Sequence, residues 1–179
     1  MTSLTIVHIE DEYSDFLSLT TTLKTFIESH WHSTHGTPVI AARRILAESQ
    51  EKPPSWIAFE LIVKQRPEQT FRWIFVRDAL LPEEVRAYME GRIVFIFDVL
   101  RPDESGTTMR VSLAETLRSI EGINVPSDDV VVYTAYQGTG IDAIAPELLA
   151  VIGHRIRKEN DFELDDFLSG VVLECIENG

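Results

Sequence analysis

Cysteine is almost absent. The one thiol in 179 residues, Cys175, excludes an internal disulfide and suits helix packing in a reducing cytoplasm. Positive charge is also scarce: 16 Lys and Arg stand against 29 Asp and Glu, a formal net charge of −13. That balance argues against non-specific nucleic-acid or anionic-membrane binding, which needs basic surface. No apolar run approaches the length of a membrane span. The first residues lack a basic region, and their apolar stretch runs directly into acids, so they do not read as a secretory signal. There is no internal repeat and no low-complexity tract. What remains is an ordinary globular composition, 44% hydrophobic, at a length suited to one domain or one domain with an elaboration.

The charge is unevenly spread. Residues 31–92 hold 9 Lys and Arg and 8 Asp and Glu, whereas the remainder holds 7 and 21. The middle segment thus carries +1 and its flanks −14, which hints at an insertion.

The most informative pattern is a set of polar residues where hydrophobic strands end. Glu10-Asp11 follow Leu4–Ile9, Asp98 follows Arg92–Phe97, and Thr134 follows Val130–Tyr133. Lys158 comes after Val151–Arg157. In a parallel α/β sheet, ligands bind outside the carboxyl ends of the strands. Three carboxylates, a hydroxyl and an ammonium at successive strand ends would converge on one small pocket suited to a hard cation and a phosphoryl group.

Between these strands the pattern predicts helices. Phe16, Leu19, Leu23, Phe26 and Ile27 recur at helical spacing, predicting an amphipathic helix over 14–29. His30 to Gly36 reads as a polar break, and Pro38 to Ser49 as a short helix with Pro38 in its first turn. Trp56–Val63 and Phe71–Val76 read as strands joined through the turn Arg66-Pro67-Glu68-Gln69, a candidate antiparallel hairpin. A helix opens at Pro82 and ends near Gly91. Further helices are expected over Ser112–Ile120, Ile141–Leu149 and Leu164–Ile176. Strands alternating with helices imply a doubly wound parallel sheet covered on both faces.

Four signatures in order resemble the receiver domain of two-component response regulators. They are Val7-His8-Ile9-Glu10-Asp11-Glu12, the loop Phe97-Asp98-Val99-Leu100-Arg101-Pro102-Asp103-Glu104-Ser105-Gly106, the pair Thr134-Ala135, and Lys158 ahead of the last helix. The resemblance covers residues 4–30 and roughly 71–177 and implies a flavodoxin-like, five-stranded α/β fold. Residues near 31–70 would be an inserted helix and β-hairpin segment.

The resemblance further implies roles. Asp98 would be the phosphoacceptor, with Thr134 and Lys158 contacting the phosphoryl group. Glu10, Asp11, Asp98 and the Leu100 carbonyl would hold Mg²⁺. The donor would be a histidine kinase or phosphotransfer protein. Output would pass to another protein, or through self-association by the insertion, because the last helix reaches the end of the 179 residues. Two positions depart from the family: Glu159 replaces its usual proline, and Arg155 replaces its usual aromatic residue.

Two rivals follow. A pseudo-receiver would use the fold for phosphorylation-independent protein contacts. A haloacid-dehalogenase-like phosphatase would need a second Asp at position 100, which is Leu100. His30, His32 and His35 have a spacing open to a transition metal but read better as polar loop residues. Trp56, Phe59, Phe71, Trp73 and Phe75 read as core rather than a recognition surface, with a density that leaves room for a partner-binding edge.

Overall fold

A computed structural model of the 179-residue chain describes residues 3–9, 21, 23–31, 40–52, 54–77, 81–98, 117–134, 150–157 and 161–178. Seven strands form one sheet: β1 (Ser3–Ile9), β2 (Ile40–Glu48), β3 (Trp56–Val63), β4 (Thr70–Val76), β5 (Arg92–Asp98), β6 (Val130–Thr134) and β7 (His154–Arg157). Their order across the sheet is β2-β3-β4-β1-β5-β6-β7. Neighbours from β4 through β7 pair in parallel, while β3 is antiparallel to both β2 and β4. The five strands expected from the sequence are therefore corrected to seven. Five of them, β4-β1-β5-β6-β7, make up the parallel part.

The central strands are mostly apolar because both faces are covered, with Ser3, Thr5 and His8 of β1 as buried polar exceptions. On β1, Leu4, Ile6 and His8 alternate with Val7 and Ile9. Leu4 and Ile6 join Phe59, Trp73, Phe75, Val94 and Ile96 on one face. That face is closed by Leu23, Ile27 and Trp31 of the helical residues 23–31 and by Leu164, Leu168 and Val172 of a closing helix, Asp161–Glu177. Leu23, Ile27 and Trp31 are four residues apart, so they form one stripe. Val7 and Ile9 face the other way, with Ala58, Ile74, Phe95 and Phe97. Val85 of a 3-10 helix, Glu83–Tyr88, and Leu117 and Ile120 at the end of a helical stretch cover that face. Burying each such side chain contributes roughly 1.5–3 kcal/mol. Among the described residues, no helix is long and apolar enough to cross a membrane.

Several expectations change here. Pro38–Ser49 was expected to be helical, but its described part, Ile40–Glu48, is strand β2. Ala41, Ala42, Arg43, Arg44, Leu46 and Ala47 are good helix formers, yet pairing against β3 wins over that weak preference. The helix opening at Pro82 is only a 3-10 helix over Glu83–Tyr88. His30 is helical rather than part of a polar loop, and its ring Nε2 lies 2.7 Å from the Ser169 hydroxyl. The hairpin of β3 and β4 is as expected, as is the burial of Phe59, Phe71, Trp73 and Phe75, with Trp56 half-buried. Cys175 is buried in the closing helix, also as expected. The helix expected over Ile141–Leu149, most of that over Ser112–Ile120, and His32 and His35 lie outside the described residues.

Candidate functional site

Parallel strands put like ends together. β1, β5, β6 and β7 are consecutive in the sheet, so their carboxyl ends share one edge. Ile9 pairs with Phe97, and the next residues are Glu10 and Asp98. Asp98 ends β5 opposite Tyr133, and Thr134 ends β6 opposite Arg157, which Lys158 follows. At about 4.8 Å between strands, the four chain ends span roughly 14 Å. That is a small span for one site.

The side chains themselves are another matter. Glu10, Asp11, Leu100 and Lys158 lie outside the described residues, and of Asp98 and Thr134 only the backbone positions are described. Among the described residues there is no group of three His, Cys, Asp or Glu that could hold a metal. The backbone thus carries Asp98 and Thr134 to the edge and delivers the chain to Glu10 and Lys158.

The amino edge of the same strands is closed by charge. Arg92, at the start of β5, donates from Nε to Asp129 Oδ1 at 3.0 Å and from Nη2 to the same oxygen at 2.7 Å. Its Nη1 donates to Glu174 of the closing helix. Asp129 sits in a 3-10 helix, Ser127–Asp129, that leads into β6. One guanidinium therefore ties two strands and a helix together. Its hydrogen bond to Asp129, with a smaller part from Glu174, raises the Arg92 pKa, although partial burial opposes this. Nearby, buried Gln69 donates from Nε2 to the Cys175 carbonyl at 2.6 Å. Burial pushes the Cys175 thiol up.

A second charged row crosses the antiparallel extension. Glu60 on β3 is 2% exposed and accepts from Arg44 Nη2 on β2 and from Arg72 Nε on β4, each at 2.9 Å. Arg72 also pairs with Glu90. Neither network was anticipated. The second had a signal, since Glu60 and Arg72 each interrupt an apolar strand and face each other across a turn centred near Arg66.

No protein-family model matches this chain, and no curated protein matches it. Among solved structures, it is similar to a response regulator receiver domain protein (CheY-like) from Methanospirillum hungatei JF-1. The likeness spans 96% of this chain and 98% of that one, at 14% identity and a TM-score of 0.47. At that identity and score it decides nothing about chemistry, for which the chain's own strand ends are the guide.

Proposed function

We propose that this chain is a receiver-like phosphoacceptor that takes a phosphoryl group on Asp98 and relays the event by protein contact. One observation carries the reading. The consecutive parallel strands β1, β5, β6 and β7 end on one edge, at the residues that bear Glu10-Asp11, Asp98, Thr134 and Lys158.

A carboxylate oxygen of Asp98 attacks phosphorus, and the bond from phosphorus to the donor breaks. The leaving group keeps the electron pair and is then protonated. The Lys158 ammonium offsets negative charge on the transferring oxygens, and the Thr134 hydroxyl donates to one of them in the product. Moving Thr134 toward that oxygen draws its loop inward, which biases a two-state surface.

The donor set fits Mg²⁺, because Glu10, Asp11, Asp98 and the Leu100 carbonyl are all oxygen ligands and β1 and β5 are adjacent. When bound, Mg²⁺ relieves repulsion among the carboxylates and neutralises charge on the phosphoryl group. The donor is a histidine kinase or phosphotransfer protein, and the setting is the cytoplasm. The segment at about 31–70, which contributes β2 and β3, is an insertion within a single receiver-like domain.

A pseudo-receiver is the second reading. It is favoured by Glu159 in place of proline and by Arg155, an exposed residue of β7, in place of an aromatic. Intact mass after incubation with acetyl phosphate separates the two. A single phosphoryl gain that needs both Mg²⁺ and Asp98 supports the phosphoacceptor. No gain in the folded protein, with acetyl phosphate or with a phosphorylated histidine phosphotransfer domain as donor, overturns it.

A further inference from the structure

A groove of about 830 Å³ lies at the outer part of the carboxyl edge, between β2, β3 and the 3-10 helix Glu83–Tyr88. It stands apart from the strand ends discussed above, on the far side of β4. Two half-buried aromatic rings meet there: Trp56, at the start of β3, and Tyr88, at the end of the 3-10 helix, with centroids 5.9 Å apart and planes inclined at 38°. Glu48, Glu51 and Glu84 line the same groove and are all exposed.

None of these three carboxylates has an ion pair among the described residues, and none of the described lining residues is basic. This contrasts with the charged row across the middle of the extension, where Glu60 pairs with Arg44 and Arg72, and Arg72 with Glu90. The wall is also preorganised. The Ser55 N–H donates to the Ser49 hydroxyl at 2.7 Å, and the Ser49 N–H to the Trp56 carbonyl at 3.0 Å, closing the loop between β2 and β3.

Aromatic faces flanked by unpaired carboxylates complement a planar cation. A guanidinium stacks on an indole or phenol ring and donates two parallel hydrogen bonds to a carboxylate, where an ammonium offers only a point charge. We infer that this groove is a docking site for an arginine-bearing segment of a partner protein, held between the Trp56 and Tyr88 rings and the carboxylates of Glu48, Glu51 and Glu84. The site is a second contact surface, independent of whether Asp98 accepts a phosphoryl group.

Tryptophan fluorescence reads it directly, because Trp31 and Trp73 are fully buried and Trp56 alone is partly exposed. The wild-type chain is titrated with a blocked Gly-Arg-Gly-Arg-Gly peptide at physiological ionic strength. A triple variant, Glu48→Gln, Glu51→Gln and Glu84→Gln, is compared with a control triple, Glu68→Gln, Glu121→Gln and Glu177→Gln, which removes equal charge elsewhere on the exposed surface. Saturable quenching is expected, weakened roughly tenfold by the first triple and less than about twofold by the second. Equal weakening by both triples means diffuse attraction to an acidic protein and overturns the site, as does the absence of saturation. Spermidine binding with the same affinity and the same variant dependence would assign the groove to a free polyamine instead, and so overturn the partner-segment inference.

Discussion

The amino edge of the parallel strands is filled and paired, whereas the carboxyl edge is where the strands hand over to polar residues. At the amino edge, Arg92, Asp129 and Glu174 form one network, and Gln69 ties β4 to the closing helix. Backbone also packs against backbone there. A Cβ on Gly91 would lie 2.0 Å from the Ser3 carbonyl oxygen, and one on Gly153 would lie 2.3 Å from that of Ser127. At the carboxyl edge, Asp98 and Thr134 end their strands, and Glu10, Asp11 and Lys158 follow directly on theirs. The amino end thus braces the sheet through named side-chain contacts, and the proposed chemistry belongs to the other end. A carboxylate pinned by an arginine, as Asp129 is, is a poor nucleophile.

The sharpest break in this comparison is Asp98→Asn. Phosphoryl uptake is expected to vanish in intact-mass measurements while the thermal unfolding midpoint stays near that of the wild type. A variant that unfolded would instead make Asp98 part of the brace. Gly91→Ala should do the reverse. Gly91 has φ +75°, so a side chain there meets both left-handed strain and the Ser3 carbonyl. Destabilisation of about 3 kcal/mol is expected by denaturant unfolding, with uptake per folded molecule preserved.

Asp129→Ala should cost about 2 kcal/mol by the same method, since it strips a 3%-exposed acceptor from a charge-assisted pair and leaves Arg92 only partly satisfied. Glu174→Ala, on the exposed side of Arg92, should cost under about 0.5 kcal/mol. Equal costs would mean that the network works as a unit rather than through its buried arm.

The smallest effect concerns Cys175. Burial raises its pKa in the folded state, so the folded chain holds the thiol proton more tightly than the unfolded chain does. The resulting stability is complete below the ordinary thiol value and is lost as pH rises through the folded one. Between wild type and Cys175→Ala, the difference in unfolding free energy should therefore narrow in alkaline solution. A difference independent of pH would show the thiol to be more accessible than its packing implies.

Much of the core was legible from residue patterns. Alternation and β-branched runs located β1, β3, β4, β5 and β6 to within a residue or two, because burial on both faces demands continuous apolar sequence. The turn at Arg66–Gln69 also announced the antiparallel hairpin, while its register, with Glu60 opposite Arg72, was read only from the structure. β2 was not legible. Its alanines, arginines and leucine favour a helix, and only the neighbouring edge of β3 makes it a strand. The Arg92–Asp129–Glu174 brace was equally hidden, since its members lie 37 and 82 residues apart in sequence from Arg92 and nothing local links them.

The sequence by itself determined which residues can enter a core and which polar residues stand at strand ends, because both depend on local periodicity and on hydrophobic runs. Tertiary structure alone decided that seven strands share the sheet, that β2 is one of them, that Arg92 closes the amino edge, and that Trp56 meets Tyr88 in a groove rimmed by glutamates. Each of those outcomes depends on contacts between distant segments, whose free energy exists only once the chain has brought them together.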